Sequence, residues 1–459
     1  MYSLNINPAS FRDPSGFVFK QNAEIYRAIA PYYRKEYDLF IQSGLYENLK
    51  QKGLITSHID SKNILDIEFS DYKVIKPVQI PFISYPYEWC FSQLKSAALL
   101  TLKIQKICLK YGMTLKDASA YNIQFIGNKP IFIDTLSFEQ YIENTPWVAY
   151  KQFCQHFLAP LSLMVYRSVD LIKLHLNYVD GIPLELASSL LPKRAILNSG
   201  IASHILLHAK FQKRHGGNKK TTIKNRISKS SFLALIQHLE NCIIALKLKT
   251  QKSDWEKYTS CNTYSKETTT LKEQTITKWL EHKGRLNTIY DFGCNTGHYS
   301  LLAAKFSELV IAMDSDHSCI EQLFLNNKLN EKILPLVFNL SSPSPGIGWA
   351  NQEHSPINKR GNADIVLALA LIHHLRISNN VPFSKIAQYF AQICHDLIIE
   401  FIPKNDLMVQ QMLTSRQDIF FDYTLDNFTN EFEKSFIINE KAILENNGRI
   451  LFFMTRRKK

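Results

Sequence analysis

Residues 291–297 read Asp-Phe-Gly-Cys-Asn-Thr-Gly and follow directly on the strand-like run 286–290. In this stretch an apolar strand ends in an acid and a turn with two glycines, and a helical segment begins at His298. Glycine adopts the left-handed backbone of tight turns and leaves room for a ligand close to the chain. Strand, glycine turn and helix together predict a nucleotide-type binding site.

Four further strand-like runs follow, separated by helical stretches. They span residues 308–313, 333–338, 363–370 and 396–401. Strands that alternate with helices predict a parallel sheet covered on both faces, with the ligand at the carboxyl ends of the strands. The first of these runs leads to Asp314, about 20 residues past the glycine turn, which is where an acid meets a ribose in a βαβ site.

The turn differs from the dinucleotide fingerprint. Its two glycines, Gly293 and Gly297, are separated by three residues, and Asp291 precedes the first of them. Asp291 would repel an anion such as a pyrophosphate, whereas a cofactor that carries an ammonium group would be attracted.

These residues resemble motif I of the class I S-adenosylmethionine-dependent methyltransferases, and the resemblance covers about residues 250–459. It implies a Rossmann-like, doubly wound α/β sheet with S-adenosylmethionine as the cofactor. Asp291 would lie near the methionine end of the cofactor, Asp314 would bind the ribose, and Asn339 would accept a hydrogen bond from the adenine amino group. The cofactor-binding residues expected from the resemblance are Asp291, Gly293, Asn295, Gly297, Asp314, Asn339 and Asp364.

The segment after the fourth strand contains His373 and His374, which the resemblance places beside the methyl acceptor. A histidine is a natural base near neutral pH, so His374 is the first candidate base and His373 the second. Glu400 at the end of the fifth strand is an alternative acid or base. Each of the three has the alternative role of packing or of binding backbone. No metal site is expected, because the eight cysteines form no C-x-x-C pair and no histidine cluster completes a zinc spacing.

Residues 1–212 predict a separate α+β domain. Within it, Asp117, Asn122 and Asp134 resemble the catalytic loop and the metal-binding Asp of protein-kinase-like and aminoglycoside-phosphotransferase-like folds. Three interpretations stay open: a phosphotransferase site, a kinase-like remnant that positions a substrate, or a turn whose Asp and Asn cap backbone groups. The same Asp-x-x-x-x-Asn segment ahead of a methyltransferase domain, together with the segments 84–89 and 399–404, makes the whole chain similar to a two-part bacterial family with nodulation-protein-like relatives.

Composition supports a multidomain chain of 459 residues with a net charge of +13. Much of the excess charge lies in a stretch rich in Lys and Arg, which predicts a basic linker at 213–230 before a methyltransferase domain at 231–459. No leader-like or membrane-spanning run stands out, so we expect a cytoplasmic protein. Nucleic acid is open as a partner but not favoured, since no aromatic residues interleave with the basic stretch.

The sequence thus predicts a methyltransferase whose acceptor is unidentified. A small molecule or a cell-surface or glycan-type hydroxyl or amine is favoured. The alternatives are an RNA or protein methyltransferase and a non-catalytic S-adenosylmethionine-binding module, and N-terminal phosphotransferase activity is a further one. The sequence does not indicate an oligomeric state.

Overall fold

The computed structural model describes residues 5–61, 69–207, 226–248, 266–327, 330–414, 417–444 and 448–458. The chain divides into two compact units. The first comprises residues 1–250 together with 347–354, and the second comprises residues 251–346 and 355–459.

The first unit contains an antiparallel sheet of five strands in the order β1-β2-β3-β5-β4 and two short two-stranded ribbons, β6/β9 and β7/β8. Its strands are β1 (Asn5–Ile6), β2 (Gly16–Gln21), β3 (Glu24–Ile29), β4 (His58–Ser61), β5 (Lys73–Pro77), β6 (Met113–Leu115), β7 (Ile123–Ile126), β8 (Lys129–Phe132) and β9 (Phe138–Gln140). Its helices are α1 (Arg34–Gln42), α2 (Leu45–Gln51), α3 (Phe91–Lys110), α4 (Tyr150–Phe153), α5 (Ala159–Tyr166), α6 (Leu184–Leu190), α7 (Ser199–Ile201) and α8 (Lys229–Ala245). Helix α3 has buried residues on most of its faces, as expected for a helix in the core of the first unit.

Helix α8 belongs to this first unit. Lys106 of α3 forms a 2.6 Å ion pair with Glu240 of α8, and Lys95 of α3 donates to the carbonyl of Ile244 over 2.9 Å. The compact units therefore divide after α8, whereas the boundary predicted from the sequence, at 230/231, lies within the first turn of this helix. The basic stretch 213–225 lies outside the described residues.

The second unit is built on a sheet of seven strands in the order β12-β11-β10-β13-β14-β16-β15. Its strands are β10 (Leu286–Phe292), β11 (Ser307–Asp314), β12 (Ile333–Val337), β13 (Ala363–Ala368), β14 (Cys394–Phe401), β15 (Phe436–Ile443) and β16 (Ile450–Arg456). Its helices are α9 (Lys266–Lys283), α10 (His298–Ala303), α11 (His317–Asn326), α12 (Phe383–Ile393), α13 (Leu407–Thr414) and α14 (Leu425–Glu433).

Strands β10 to β14 are parallel and lie in the spatial order 3-2-1-4-5, which is the Rossmann-like order. Strand β16 runs antiparallel to β14, and β15 pairs antiparallel with β16, so β15 at the edge of the sheet runs in the same direction as β14. The strand order reverses between β10 and β13, and ligands bind at the carboxyl ends of the strands at such a point. The predicted α/β class with a parallel-rich sheet is confirmed. No helix in the described part of the chain is long and apolar enough to cross a membrane.

Candidate functional site

Asp291 is the second-to-last residue of β10 and is buried, with 2% of its surface exposed. Ser300 of α10 donates its hydroxyl to the carboxylate over 2.6 Å. Burial raises the pKa of Asp291 to about 6, and the charge of Asp314 acts in the same direction, while the Ser300 hydrogen bond, Lys272 and His298 lower it. At neutral pH Asp291 is therefore a buried carboxylate whose charge is only partly compensated.

The glycine turn is attached to the end of β11. The backbone N–H groups of Gly293 and Cys294 both donate to the carbonyl of Met313, over 2.8 and 3.1 Å. Gly293, Asn295 and Gly297 have φ values of 74°, 50° and 88°, in the left-handed region that glycine adopts freely and asparagine tolerates. The turn thus uses the residue types that its backbone requires.

Gly297 has a role in helix packing, and its predicted contact with the cofactor stays a prediction. A Cβ atom on Gly297 would lie 2.4 Å from Cδ1 of Leu323, a buried residue of α11. At Gly293 the nearest atom to such a Cβ is Cδ1 of Leu371, at an ordinary 3.5 Å. Of the two glycines, only Gly293 leaves space beside the backbone of the turn.

Asp314 ends β11 beside this turn. One carboxylate oxygen, Oδ2, accepts the N–H of Asn295 over 2.8 Å, and Oδ1 accepts the N–H of Asp316 over 2.8 Å. Burial raises the pKa of Asp314. Since a carboxylate oxygen can accept more than one hydrogen bond, both oxygens retain capacity for a ligand hydroxyl.

Asn339 follows β12 and lies near Asp314, because the N–H of the preceding residue, Phe338, donates to the carbonyl of Asp314 over 2.7 Å. Its own side chain is exposed and accepts from the backbone N–H and the hydroxyl of Ser341, over 3.0 and 2.7 Å. The turn fixes the orientation of the amide. A contact with adenine stays a prediction.

Asp364 is not part of this group, and its predicted role in cofactor binding is wrong. It lies at the amino end of β13, where its carboxylate accepts the N–H groups of Asn287 and Thr288 over 2.6 and 3.0 Å. Because β10 and β13 are parallel, their amino ends share the edge of the sheet opposite Asp291. Asp364 therefore caps the start of the neighbouring strand.

His373 is also corrected. It is completely buried, both of its ring nitrogens lack a hydrogen-bond partner among the described residues, and burial holds its pKa well below the ordinary value. An enclosed imidazole of this kind is a packing residue and does not line an acceptor site. The ring of His374 packs against it at a tilt of 40°, with ring centroids 4.1 Å apart, and is partly exposed. Burial lowers the pKa of His374 to about 4, so it is a weak base at neutral pH, and its catalytic role stays a prediction.

Glu400 is engaged in a buried ion pair and is not a free acid or base. Its Oε2 atom lies 2.7 Å from Nζ of Lys272 on α9 and accepts the N–H of Ala370 over 2.9 Å. Sequence reasoning missed Lys272, because a single lysine in a largely polar helix gives no periodic signal.

In the first unit, the fold brings Asp117, Asn122 and Asp134 close together. Oδ1 of Asp117 accepts the N–H of Ser119 over 2.8 Å, and the Asn122 side chain also bonds to Asp117. Burial raises the pKa of Asp117, and the nearby charge of Asp134 adds to this effect. Asp134 itself forms a 2.6 Å ion pair with Arg27 of β3. The cluster thus combines backbone capping with a pair of neighbouring carboxylates.

Comparison with known proteins places the chain in a family. It is 35% identical to the nodulation protein NoeA of Rhizobium meliloti (strain 1021), and the match covers 97% of this chain and 95% of that protein. The chain belongs to the NoeA family of nodulation proteins. The two-part family with nodulation-protein-like relatives that was expected from the sequence is thereby confirmed. No protein-family model matches the chain.

Two solved structures have a distant likeness to this NoeA-family protein. One is the N-methyltransferase NodS from Bradyrhizobium japonicum WM9, with 7% identity, a TM-score of 0.33, and coverage of 42% of this chain and 99% of that one. The other is the magnesium protoporphyrin IX methyltransferase from Synechocystis PCC 6803 with bound SAH, with 12% identity, a TM-score of 0.30, and coverage of 58% of this chain and 100% of that one. The family assignment rests on the NoeA relative, and the Rossmann-like order rests on the sheet itself.

Replacing Gly297 tests the packing of the turn. We expect Gly297→Ala to lower the free energy of unfolding by about 2–4 kcal/mol, from about 1 kcal/mol for the left-handed backbone and about 1–3 kcal/mol for overpacking against Leu323. The control is Gly284→Ala, which has a φ of 74° and no atom within 4 Å of its Cβ position, and should lose only about 1 kcal/mol. Urea unfolding measures both variants, and equal losses would contradict the packing role.

The buried charge of Asp291 predicts a pH-dependent stability. Its pKa of about 6 in the folded protein lies above the ordinary 3.8, so its stabilising contribution is complete below pH ~4 and is lost as the pH rises through 6. Asp291→Asn keeps an acceptor for Ser300 and removes this dependence. Between pH 4.5 and 7.5 we expect the variant to gain about 2 kcal/mol relative to the wild type in urea unfolding. Parallel pH profiles for the two proteins would refute the assignment.

Proposed function

We propose that this NoeA-family protein is a methyltransferase that binds S-adenosylmethionine at the carboxyl edge of β10 and β11. One observation carries the proposal: a buried carboxylate, Asp291, and a half-buried one, Asp314, lie at the carboxyl ends of the neighbouring strands β10 and β11, next to the point where the strand order reverses.

The residues present fit this cofactor. Asp291 is a buried carboxylate with a raised pKa, and an ammonium group beside it would complete the compensation that Lys272 and His298 supply only in part. Asp314 keeps lone pairs free for the ribose hydroxyls. The backbone of Gly293 and Asn295 would border the cofactor between the two acids. The cofactor supplies the electrophilic methyl group, and the role of the protein is to hold it in line with the acceptor and to exclude water.

For the acceptor we propose a hydroxyl or amine of a small molecule or a cell-surface or glycan-type molecule. His374 is the partly exposed titratable group in the loop after β13, but its pKa of about 4 makes it a weak base. An acceptor that needs little base assistance, such as an amine with a free lone pair, therefore suits this site best. Methyl transfer to RNA or protein, and cofactor binding without transfer, are the alternatives.

Calorimetry with S-adenosylmethionine and S-adenosylhomocysteine tests the cofactor site. We expect the wild type to bind both, and Asp291→Asn and Asp314→Asn to bind about 10–100-fold more weakly, because each loses a charge-assisted hydrogen bond of about 1.5–3 kcal/mol. Wild-type affinity should fall as the pH drops below about 6, where Asp291 takes up a proton.

Asp364→Asn is the matched control for these variants. It removes an acid at the opposite edge of the same sheet, so it should leave the affinity unchanged. Unaltered binding by Asp291→Asn, or an equal loss in Asp364→Asn, would disprove the proposed site.

A second candidate function is favoured by the cluster in the first unit. We propose that Asp117, Asn122 and Asp134 form a magnesium–nucleotide site, since a kinase-like site needs an Asp near the acceptor hydroxyl and an Asn and an Asp near the metal. The Arg27 guanidinium already lies against Asp134, so metal binding requires this ion pair to open. The cluster is therefore a weaker candidate than the cofactor site.

Titration of the full chain with magnesium–ATP tests the second function. We expect binding that Asp134→Asn abolishes, because this variant loses both the metal ligand and the pair with Arg27. Asp170→Asn, which removes a carboxylate from an exposed ion pair with Lys173 in the same unit, should bind as the wild type does. Absence of binding in the wild type would leave the capping role as the function of this cluster.

A further inference from the structure

A buried ion pair joins helix α9 to the carboxyl end of β14. Nζ of Lys272 lies 2.7 Å from Oε2 of Glu400, and the two side chains are 3% and 0% exposed. A carboxylate and an ammonium group removed from water at this depth need close geometry and further hydrogen bonds to offset the loss of hydration. The pair is therefore a specific feature of this edge of the sheet.

Glu400 uses the same Oε2 atom to hold the loop that follows β13. It accepts the N–H of Ala370 over 2.9 Å, and Ala370 has a φ of 51°, in the left-handed region that an alanine adopts only when its surroundings enforce it. The next residue, Leu371, has its Cδ1 atom 3.5 Å from the position of a Cβ on Gly293. Glu400 thus fixes the loop that borders the glycine turn.

Lys272 also reaches the surroundings of Asp291. Its Nζ atom lies 4.9 Å from the ring centroid of Tyr299, and Ser300, the residue after Tyr299, donates its hydroxyl to Asp291. The groups that act on Asp291 from the surrounding elements are Lys272 on α9, Ser300 and His298 on α10, and Asp314 on β11. Of the charged groups, Asp314 disfavours the carboxylate form of Asp291, while Lys272 and His298 favour it; His298 is itself 2.7 Å from Glu273.

We propose that Lys272 and Glu400 are positioning residues of the cofactor site: Glu400 fixes the loop after β13, and Lys272 neutralises Glu400 and places a positive charge beside Asp291. This inference rests on the proposed function for its link to the cofactor. It assigns to α9, which precedes the glycine turn in the chain, a part in setting the pH range over which the cofactor is held.

Stability alone does not test this proposal. Removing one partner of a buried pair leaves an unpaired charge and destabilises a fold strongly, whereas removing both is often neutral. The informative variant is therefore Lys272→Met/Glu400→Gln, which has no unpaired charge and keeps an acceptor for the N–H of Ala370. Lys272→Arg keeps the charge and serves as the conservative variant.

A second ion pair offers a matched control. Lys283, also on α9, lies 2.6 Å from Asp396 near the amino end of β14, so Lys283→Met/Asp396→Asn removes a pair between the same two elements at the opposite edge of the sheet. This variant should leave Asp291 unaffected.

The experiment measures the affinity for S-adenosylhomocysteine by calorimetry between pH 5 and 8. For the wild type, Lys272→Arg and the control variant we expect the affinity to fall below about pH 6. For Lys272→Met/Glu400→Gln the midpoint of this fall should move upward, because the lysine of the pair is the charge that favours ionised Asp291. An unchanged midpoint in this variant, or the same upward shift in the control, would overturn the proposal.

A ligand-free measurement separates failure of this inference from failure of the proposed function. If the wild type binds no S-adenosylhomocysteine, the proposed function is wrong. The pH dependence of unfolding, taken as the difference between each protein and its Asp291→Asn derivative, still reports the ionisation of Asp291. We expect this curve to shift to higher pH in Lys272→Met/Glu400→Gln, and coincident curves would overturn the role of Lys272.

Discussion

The hydrogen bonds between the glycine turn and the end of β11 are the constraint on which the candidate site depends. The carbonyl of Met313 accepts two N–H groups of the turn, and the carboxylate of Asp314 accepts the N–H of Asn295. Since β10 and β11 are parallel neighbours with Asp291 opposite Ala312, these bonds fix two acids at adjacent strand ends. The turn, its left-handed residues and the packing of α11 on Gly297 therefore form a single unit, and a change in one affects the others.

The electrostatics of this edge follow from that arrangement. Three buried or half-buried carboxylates, those of Asp291, Asp314 and Glu400, lie at the carboxyl ends of their strands, and Lys272 is paired with the last of them. The remaining imbalance is negative, which suits a ligand with an ammonium group and hydroxyls and disfavours a pyrophosphate. Asp291, the acid before the first glycine, thus contributes its negative charge to this edge of the sheet. The hydroxyl of Ser300 donates a hydrogen bond that favours the ionised form of Asp291.

Strands β10 to β14 could be predicted to within a few residues, because strands buried on both faces are continuous apolar runs. The predicted run 363–370 already placed Asp364 near the amino end of its strand, away from the carboxyl ends where the ligand was expected, so its assignment to the cofactor did not follow from the parallel sheet. Glu400 and Lys272 could not be paired, since they are 128 residues apart and each is unremarkable in its own element. The packing role of Gly297 was equally hidden, because it depends on Leu323 of another helix.

The assignment of residues 347–354 to the first unit was also beyond sequence reasoning. There Arg12 donates to both carboxylate oxygens of Glu353, and His354 stacks on Tyr85 with ring centroids 4.7 Å apart, although this segment lies between β12 and β13 in the chain. The match with the NoeA relative covers 97% of the chain and therefore extends over both units. The ion pair of Arg12 with Glu353 is a contact through which the chain integrates the segment into the first unit.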